Sequence, residues 1–262
     1  MHITTIVIKL KTNTMFIQLH EVPTTPPKKI TKEEIENEMG GLLKKLRELQ
    51  TKLYAQSSQS LLVILQGLDA SGKDGVIKHL YTGINPQGCQ IKSFKRPTAE
   101  ETAHDFLWRI HPHIPAKGMI GIFNRSYYED ILVPAVQKNF PQEVLHKRMQ
   151  HINHFEALLQ DEKVTIAKFF LHISDQEQQE RINERKTNPD KAWKFEPQDD
   201  LNLQQRHLFT PIYEQLFEVC NEPEWIILPA DSKWYRNYLI TKELITILEN
   251  MNVAYPTKKY QL

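Results

Sequence analysis

LLVILQGLDASGKDGVIKHLY, residues 61–81, sets an apolar run, a glycine-bounded loop and a helix-compatible segment in immediate succession. Leu61 to Leu65 reads as a buried strand, Gly67 to Lys73 as the loop and Asp74 to Tyr81 as the helix. Strand, loop and helix start in that order form the setting of a phosphate-binding loop. Glycines let the backbone turn tightly and bring its N–H groups close to an anion. The helix adds the positive end of its dipole, and Lys73 adds a full charge on a flexible stem. Gly67, Gly72 and Lys73 fit G-x-x-x-x-G-K-[ST], with Ala70 and Ser71 lining the same turn. The final hydroxyl position is Asp74 instead. In ordinary phosphate-binding loops that hydroxyl holds Mg²⁺, so the metal must be held otherwise, and Asp69 inside the loop is the replacement.

A second stretch, GMIGIFNRSYYEDILV at residues 118–133, repeats the logic. Met119 to Phe123 reads as a buried strand that ends in Asn124, Arg125 and Ser126, then Glu129 and Asp130. Ligands of open α/β sheets bind beyond the carboxyl ends of the strands, so these polar groups belong beside the loop if the strands are neighbours. Arg125 is a planar donor suited to phosphate. Asp130, ahead of Glu129, is the second candidate metal ligand. The bland alternative is acids placed on a helix dipole, which does not explain the arginine beside them.

The chain has 262 residues, 40% hydrophobic and 25% charged, with a formal net charge of +1. That composition supports a sizeable core, and no global field marks nucleic acid or a membrane as partner. No apolar run approaches the roughly 18 residues of a membrane span. Two cysteines, Cys89 and Cys220, offer no disulfide framework and read as reduced thiols of a cytoplasmic protein. His104, His111 and His113 lack further ligands nearby and read as satisfied or exposed imidazoles rather than a metal site.

Around these stretches the pattern alternates. Residues 1 to about 19 fit an edge strand, an added arm or a leader, and Pro23, Pro26 and Pro27 mark a linker. Thr31 and Glu34 form a capping box. It opens a helix with Ile35, Met39, Leu42, Leu46, Leu49 and Leu53 on one seam, as a cover for the core or as a dimer contact. Lys92, Lys95 and Arg96 lie in a strand and its exit. Glu100 to Ile110 reads as a helix with Ala103, Phe106, Leu107 and Ile110 inward. Gln142 to Gln160 reads as a helix with Val144, Met149, Ile152, Phe155 and Leu159 on one side. Val164 to Ser174 is a strand, and Ser174 with Glu177 a second capping box. The polar helix that follows carries Arg181 and Arg185 on one face and reads as a lid that brings positive charge to phosphate. Asp199 to Val219 is a helix packed by Leu203, Leu208, Ile212 and Leu216. Glu224 to Ala230 is the last strand, and the segment after it the closing helix. The fold class expected is α/β: a parallel sheet flanked by helices, a P-loop kinase with a helical lid at about 175–200. Residues 1–27 are leader and linker, and 28–262 the kinase domain.

GLDASGKDG, SFKRPT, FNRSYYEDILV, KAWKF and PADSKWYRN together strongly resemble the second family of polyphosphate kinases, from about Leu42 to Leu248. The FNRSYYED form is similar to the subgroup that phosphorylates both nucleoside mono- and diphosphates. The resemblance implies a thymidylate-kinase-like fold and reversible phosphoryl transfer from inorganic polyphosphate to AMP and ADP, with Mg²⁺ as cofactor and Mn²⁺ as a substitute. It gives Asp69 and Asp130 the metal and the acceptor phosphate, Lys73 and the loop amides the phosphates, and Arg125 the acceptor side. Lys95, Arg96, Arg181 and Arg185 would neutralise polyphosphate. Expected partners are polyphosphate and AMP, ADP, ATP or other nucleotides, with self-association into a homo-oligomer, and neither nucleic acid nor membrane. The competing reading is an ATP-dependent nucleoside monophosphate kinase, which shares fold and loop and differs in donor. Tyr127, Trp193 and Trp234 are candidates to stack on a base, or core residues.

Overall fold

The computed structural model describes Ile8–Lys9 and residues 17–257. The strands are β1 (Ile8–Lys9), β2 (Ser60–Gln66), β3 (Cys89–Ser93), β4 (Ile120–Asn124), β5 (Val164–His172) and β6 (Trp225–Pro229). They form one sheet in the order β1-β6-β5-β2-β4-β3. β2 to β6 run parallel, and β1 pairs antiparallel with β6 at the edge. The edge-strand reading of the leader holds for those two residues; the rest of that expectation lies outside the described residues.

β2 is buried at all seven positions, as its uninterrupted apolar run requires of a strand covered on both faces. Its alternate side chains feed two cores. Leu61, Val63 and Leu65 pack with Leu46, Leu80, Leu239 and Leu244 on one face. Leu62 and Ile64 pack with Phe123, Ile152, Phe170 and Phe217 on the other. β2 lies between β4 and β5, so the chain reverses its direction across the sheet there. That reversal opens a crevice at the carboxyl end of β2, where the loop sits.

The helices are α1 (Lys32–Gln56), α2 (Lys73–Gly83), α3 (Ala99–Thr102), α4 (Glu129–Gln137), α5 (Gln142–Asp161), α6 (Asp175–Thr187), α7 (Pro189–Ala192), α8 (Pro197–Gln204), α9 (Arg206–Val219) and α10 (Lys233–Asn250). α1 starts at the expected capping box, with Thr31 Oγ1 accepting from the Glu34 amide at 3.3 Å and Glu34 Oε2 accepting from the Thr31 amide at 3.1 Å. Its seam covers the core: Ile35, Leu46, Leu49 and Leu53 are buried, with Met39 and Leu42 packed beside them. The proline-marked segment lies against the sheet end rather than standing free. Leu19 is buried, the Asp231 amide donates to the Thr24 carbonyl, and His172 Nε2 meets the Val22 carbonyl. Cys89 and Cys220 are free and buried. His104 stacks on Trp108, while His111 and His113 meet the rings of Phe155 and Phe94 edge-on. No helix among the described residues is long and apolar enough to cross a membrane.

Several expected elements are corrected. The helix over Glu100 to Ile110 stops at Thr102 because Asp105 Oδ1 accepts from the amides of Leu107 and Trp108, a local competitor of helical bonding. Ala103 is therefore exposed, and only Ile110 is fully buried. On α5, Leu145 is buried and Val144 only half-buried. The helix expected from Asp199 is two helices that break at Gln205, and Leu208 is 37% exposed. Ser174 caps α6 through the Glu177 amide, but the Glu177 carboxylate turns to Arg181 instead of completing the box.

Candidate active site

The loop between β2 and α2 is shaped by two glycines. Gly67 has φ +145°, and a Cβ there would meet the Leu171 carbonyl oxygen at 2.8 Å. Gly72 has φ +100°, and a Cβ there would fall 2.0 Å from Arg236 Nη1. Both positions need glycine for conformation and for space. Ala70 and Arg125 also adopt left-handed backbone, at φ 61° and 63°, a strain that collects at functional sites. Lys73 folds back over the loop, its Nζ donating to the carbonyls of Gly67 at 2.7 Å and Leu68 at 3.1 Å. Burial first, then Arg125, pull its pKa down to about 8.

β4 delivers the opposing residues. The Arg125 amide donates to the Leu65 carbonyl at 3.0 Å, so the end of β4 is tied to the end of β2. The Arg125 guanidinium then bridges two acids, with Nη2 to Asp69 Oδ1 at 2.5 Å and Nη1 to Glu129 Oε2 at 3.3 Å. Asn124 Nδ2 donates to Asp74 Oδ1 at 2.8 Å, so the aspartate in the hydroxyl's place ties α2 to β4. Burial alone would raise the pKa of Asp69; Arg125, Lys73, the Asn202 hydrogen bond and Arg185 outweigh it and hold the carboxyl below the ordinary value.

In the ligand-free protein the arginines of the expected lid bond to the chain itself. Arg181 places all of its guanidinium donors on protein: Nε on Glu177, Nη1 on the carbonyls of Ala70 and Ser71, and Nη2 on those of Ala230 and Asp231. An arginine has five such donors, and in the ligand-free protein Arg181 places them on Glu177 and on four carbonyls at and beside the loop. Arg185 pairs with Asp199 Oδ2 at 2.9 Å and adds its charge to the field at Asp69. Lys95 and Arg96 are exposed at the exit of β3 and make no hydrogen bond to the loop.

The charges that act most on Asp130 differ from those that act on Asp69. Its carboxyl is pushed up to about 6 by burial, and the cations acting on it are Arg109 and Arg148. The acid that shares Arg125 with Asp69 is Glu129, the less favoured choice of the sequence reading. Among the described residues no group of three or more His, Cys, Asp or Glu gathers in a metal-holding cluster. Tyr127 is fully buried and is core, Trp234 is half-buried, and Trp193 is 77% exposed.

Three contributors carry no role in the sequence reading. Asn202 on α8 donates to Asp69 Oδ2 at 2.6 Å, and Gln178 on α6 donates to the Asp69 carbonyl at 3.0 Å. Neither carries a motif that could announce it. Arg236, within PADSKWYRN, reaches the Ser71 carbonyl at 3.4 Å. Its place at a strand exit was the available signal.

Comparison with known proteins adds the following. The family model described as Polyphosphate kinase 2 matches residues 29–256. An "AMP/ADP-polyphosphate phosphotransferase" of Meiothermus ruber is 44% identical over 221 residues, 82% of this chain and 81% of the relative. An "ADP-polyphosphate phosphotransferase" of Rhodopseudomonas palustris is 40% identical over 228 residues, 82% of this chain and 79% of the relative. The crystal structure of a Polyphosphate Kinase 2 from Arthrobacter aurescens TC1 superposes with a TM-score of 0.89 at 33% identity, over 94% of this chain and 90% of that one.

Proposed function

The chain belongs to the polyphosphate kinase 2 family, and from that membership and its site we propose that it transfers phosphoryl groups reversibly between inorganic polyphosphate and nucleotides, AMP to ADP and ADP to ATP. The observation that carries this is the Arg125–Asp69 contact at 2.5 Å, which joins the end of β4 to a loop also occupied by Lys73.

The chemistry asks for what those residues supply. Phosphoryl transfer needs positioning and charge neutralisation, with little covalent work by the protein. The acceptor is a phosphate oxygen, already anionic near neutral pH, so no strong general base is required. Lys73 and the loop amides would hold one phosphate chain, and Arg125 the acceptor phosphate. Lys95 and Arg96, exposed and without a carboxylate partner among the described residues, would meet the longer polyphosphate.

Mg²⁺, or Mn²⁺ in its place, fits the donor set. Mg²⁺ is commonly held by one or two carboxylates together with substrate phosphates, and the Asp69 carboxylate at the loop is such a ligand. Asp130 is the second proposed ligand. The ion would neutralise charge on the phosphoryl group in transit. Self-association belongs to the same reading, but the α1 seam is buried within the chain and is not its contact.

The test is incubation of AMP, Mg²⁺ and polyphosphate without ATP. ADP and then ATP should appear. No product with polyphosphate, alongside ADP formation when ATP is the donor, would make the protein an ATP-dependent nucleoside monophosphate kinase instead.

A further inference from the structure

Arg236, in the first turn of α10, is 2% exposed. Its guanidinium lies against the first turn of α2, and two glycines make the room. A Cβ on Gly72 would come within 2.0 Å of Nη1, and one on Gly75 within 3.1 Å of Nη2. Among the described residues every acceptor it has is neutral. Nε and Nη2 donate to Asn237 Oδ1 at 3.3 and 2.9 Å, and Nη1 to the Ser71 carbonyl at 3.4 Å. Burial first and Arg181 second lower its pKa to about 10, and no carboxylate acts the other way.

A buried cation with no counter-ion is costly to a fold. Nor does the fold need it to satisfy Ser71, whose carbonyl already accepts from Arg181 Nη1 at 3.2 Å. Arg236 is therefore surplus to the protein's own hydrogen bonding. Its place has a consequence for the loop. The N–H and C=O of a trans peptide point in opposite directions, so two guanidinium groups on the Ser71 carbonyl fix the Gly72 N–H away from them. Polarisation of that carbonyl also strengthens the N–H as a donor.

We propose that Arg236 is a positioning residue for phosphate binding, acting through the Ser71–Gly72 peptide, and that the anion balancing its charge is the substrate phosphate held at the loop. This rests on the phosphoryl-transfer reading of the site. The charge is stored in the ligand-free protein and compensated only when phosphate arrives.

Arg236→Met and Arg236→Lys, each compared with wild type, test it by thermal unfolding with and without inorganic tripolyphosphate, by calorimetric binding of the same ion, and by kinetics. Without ligand, Arg236→Met should unfold at or above the wild-type temperature. Tripolyphosphate should raise its midpoint less than that of wild type and bind at least tenfold more weakly. KM for polyphosphate should rise more than KM for AMP, and the lysine variant should recover part of the binding. A methionine variant that fails to fold, or that binds tripolyphosphate within twofold of wild type with the same thermal shift, overturns the proposal. Wild-type protein that binds no tripolyphosphate removes the reading beneath it, and the inference with it.

Discussion

Asn202 Nδ2 donates to Asp69 Oδ2 at 2.6 Å, so α8 holds the carboxylate that the candidate site is built around. The other Asp69 oxygen is held by Arg125, and Gln178 of α6 holds the Asp69 carbonyl. In the ligand-free protein α6 and α8 are therefore tied to the loop residue proposed above as the metal ligand. A hydrogen bond to a charged group contributes about 1.5–3 kcal/mol. Asn202→Ala should release α7 and α8, and limited proteolysis between residues 188 and 205 should quicken about tenfold in the absence of substrate. Equal cleavage rates in variant and wild type would show that these helices are held elsewhere.

Lys73 carries a prediction about pH. Its pKa of about 8 comes first from burial and then from Arg125, so the free enzyme loses this cation as pH rises through that value. The profile of kcat/KM, which reports the free enzyme, should fall above about pH 8. Bound phosphate favours the charged form, so the alkaline limb of kcat should lie higher. Lys73→Ala should lower kcat/KM by at least about 10²-fold, the usual effect of removing one preorganised donor, with the folded state retained. Coincident limbs for kcat and kcat/KM would mean that Lys73 does not gain phosphate as a partner.

The sheet, its strand positions and the two glycines of the loop were legible because each follows from local rules: an apolar run bounded by turn residues, and a motif whose spacing fixes backbone geometry. That Arg125 and Asp69 lie side by side was legible because Arg125 stands at a strand end and Asp69 inside the loop that follows the neighbouring strand. The contacts of Arg181 were not legible because a charged helical face looks the same whether its arginine reaches outward or backward to four carbonyls. Asn202 was invisible because a polar residue on a surface helix has no periodicity or spacing that distinguishes a latch. The break at Asp105 shows the same limit: a single side-chain acceptor ended a helix whose apolar spacing was sound.

Asp130 tests the metal assignment through stability. Its folded pKa of about 6, raised chiefly by burial, lies above the unfolded value of 3.8. The folded state thus binds this proton more tightly than the unfolded chain. Stability from this group is fully present below about pH 4 and is lost as pH rises through about 6. Asp130→Asn should be more stable than wild type by about 1–3 kcal/mol at pH 8, measured by urea unfolding, and indistinguishable from it below pH 4. If Asp130 holds the metal, Mg²⁺ with nucleotide should raise the stability of wild type more than that of the variant and narrow the difference. A variant no more stable at pH 8 would show that the carboxylate is solvated or already compensated.

The buried pair beneath α4 makes the last prediction. Lys168 and Glu156 are fully buried. The ammonium donates to Glu156 Oε2 at 2.8 Å, the Cys220 carbonyl at 2.7 Å and the Tyr128 hydroxyl at 3.2 Å. Glu156 Oε1 in turn accepts from the hydroxyls of Tyr127 at 2.6 Å and Tyr128 at 2.7 Å. Those tyrosines immediately precede Glu129 and follow Arg125 by two and three residues, so the network fixes the turn that aims both site residues. Removing one partner of a buried pair leaves the other charge uncompensated and costs about 3–5 kcal/mol. Lys168→Met alone should lose that much in urea unfolding, while Lys168→Met with Glu156→Leu should recover part of it. Kinetics of the folded single variant, at a temperature where it is fully native, should show KM for nucleotide raised as Arg125 loses its support. A Lys168→Met protein within about 1 kcal/mol of wild type would mean that the ammonium is not what compensates Glu156.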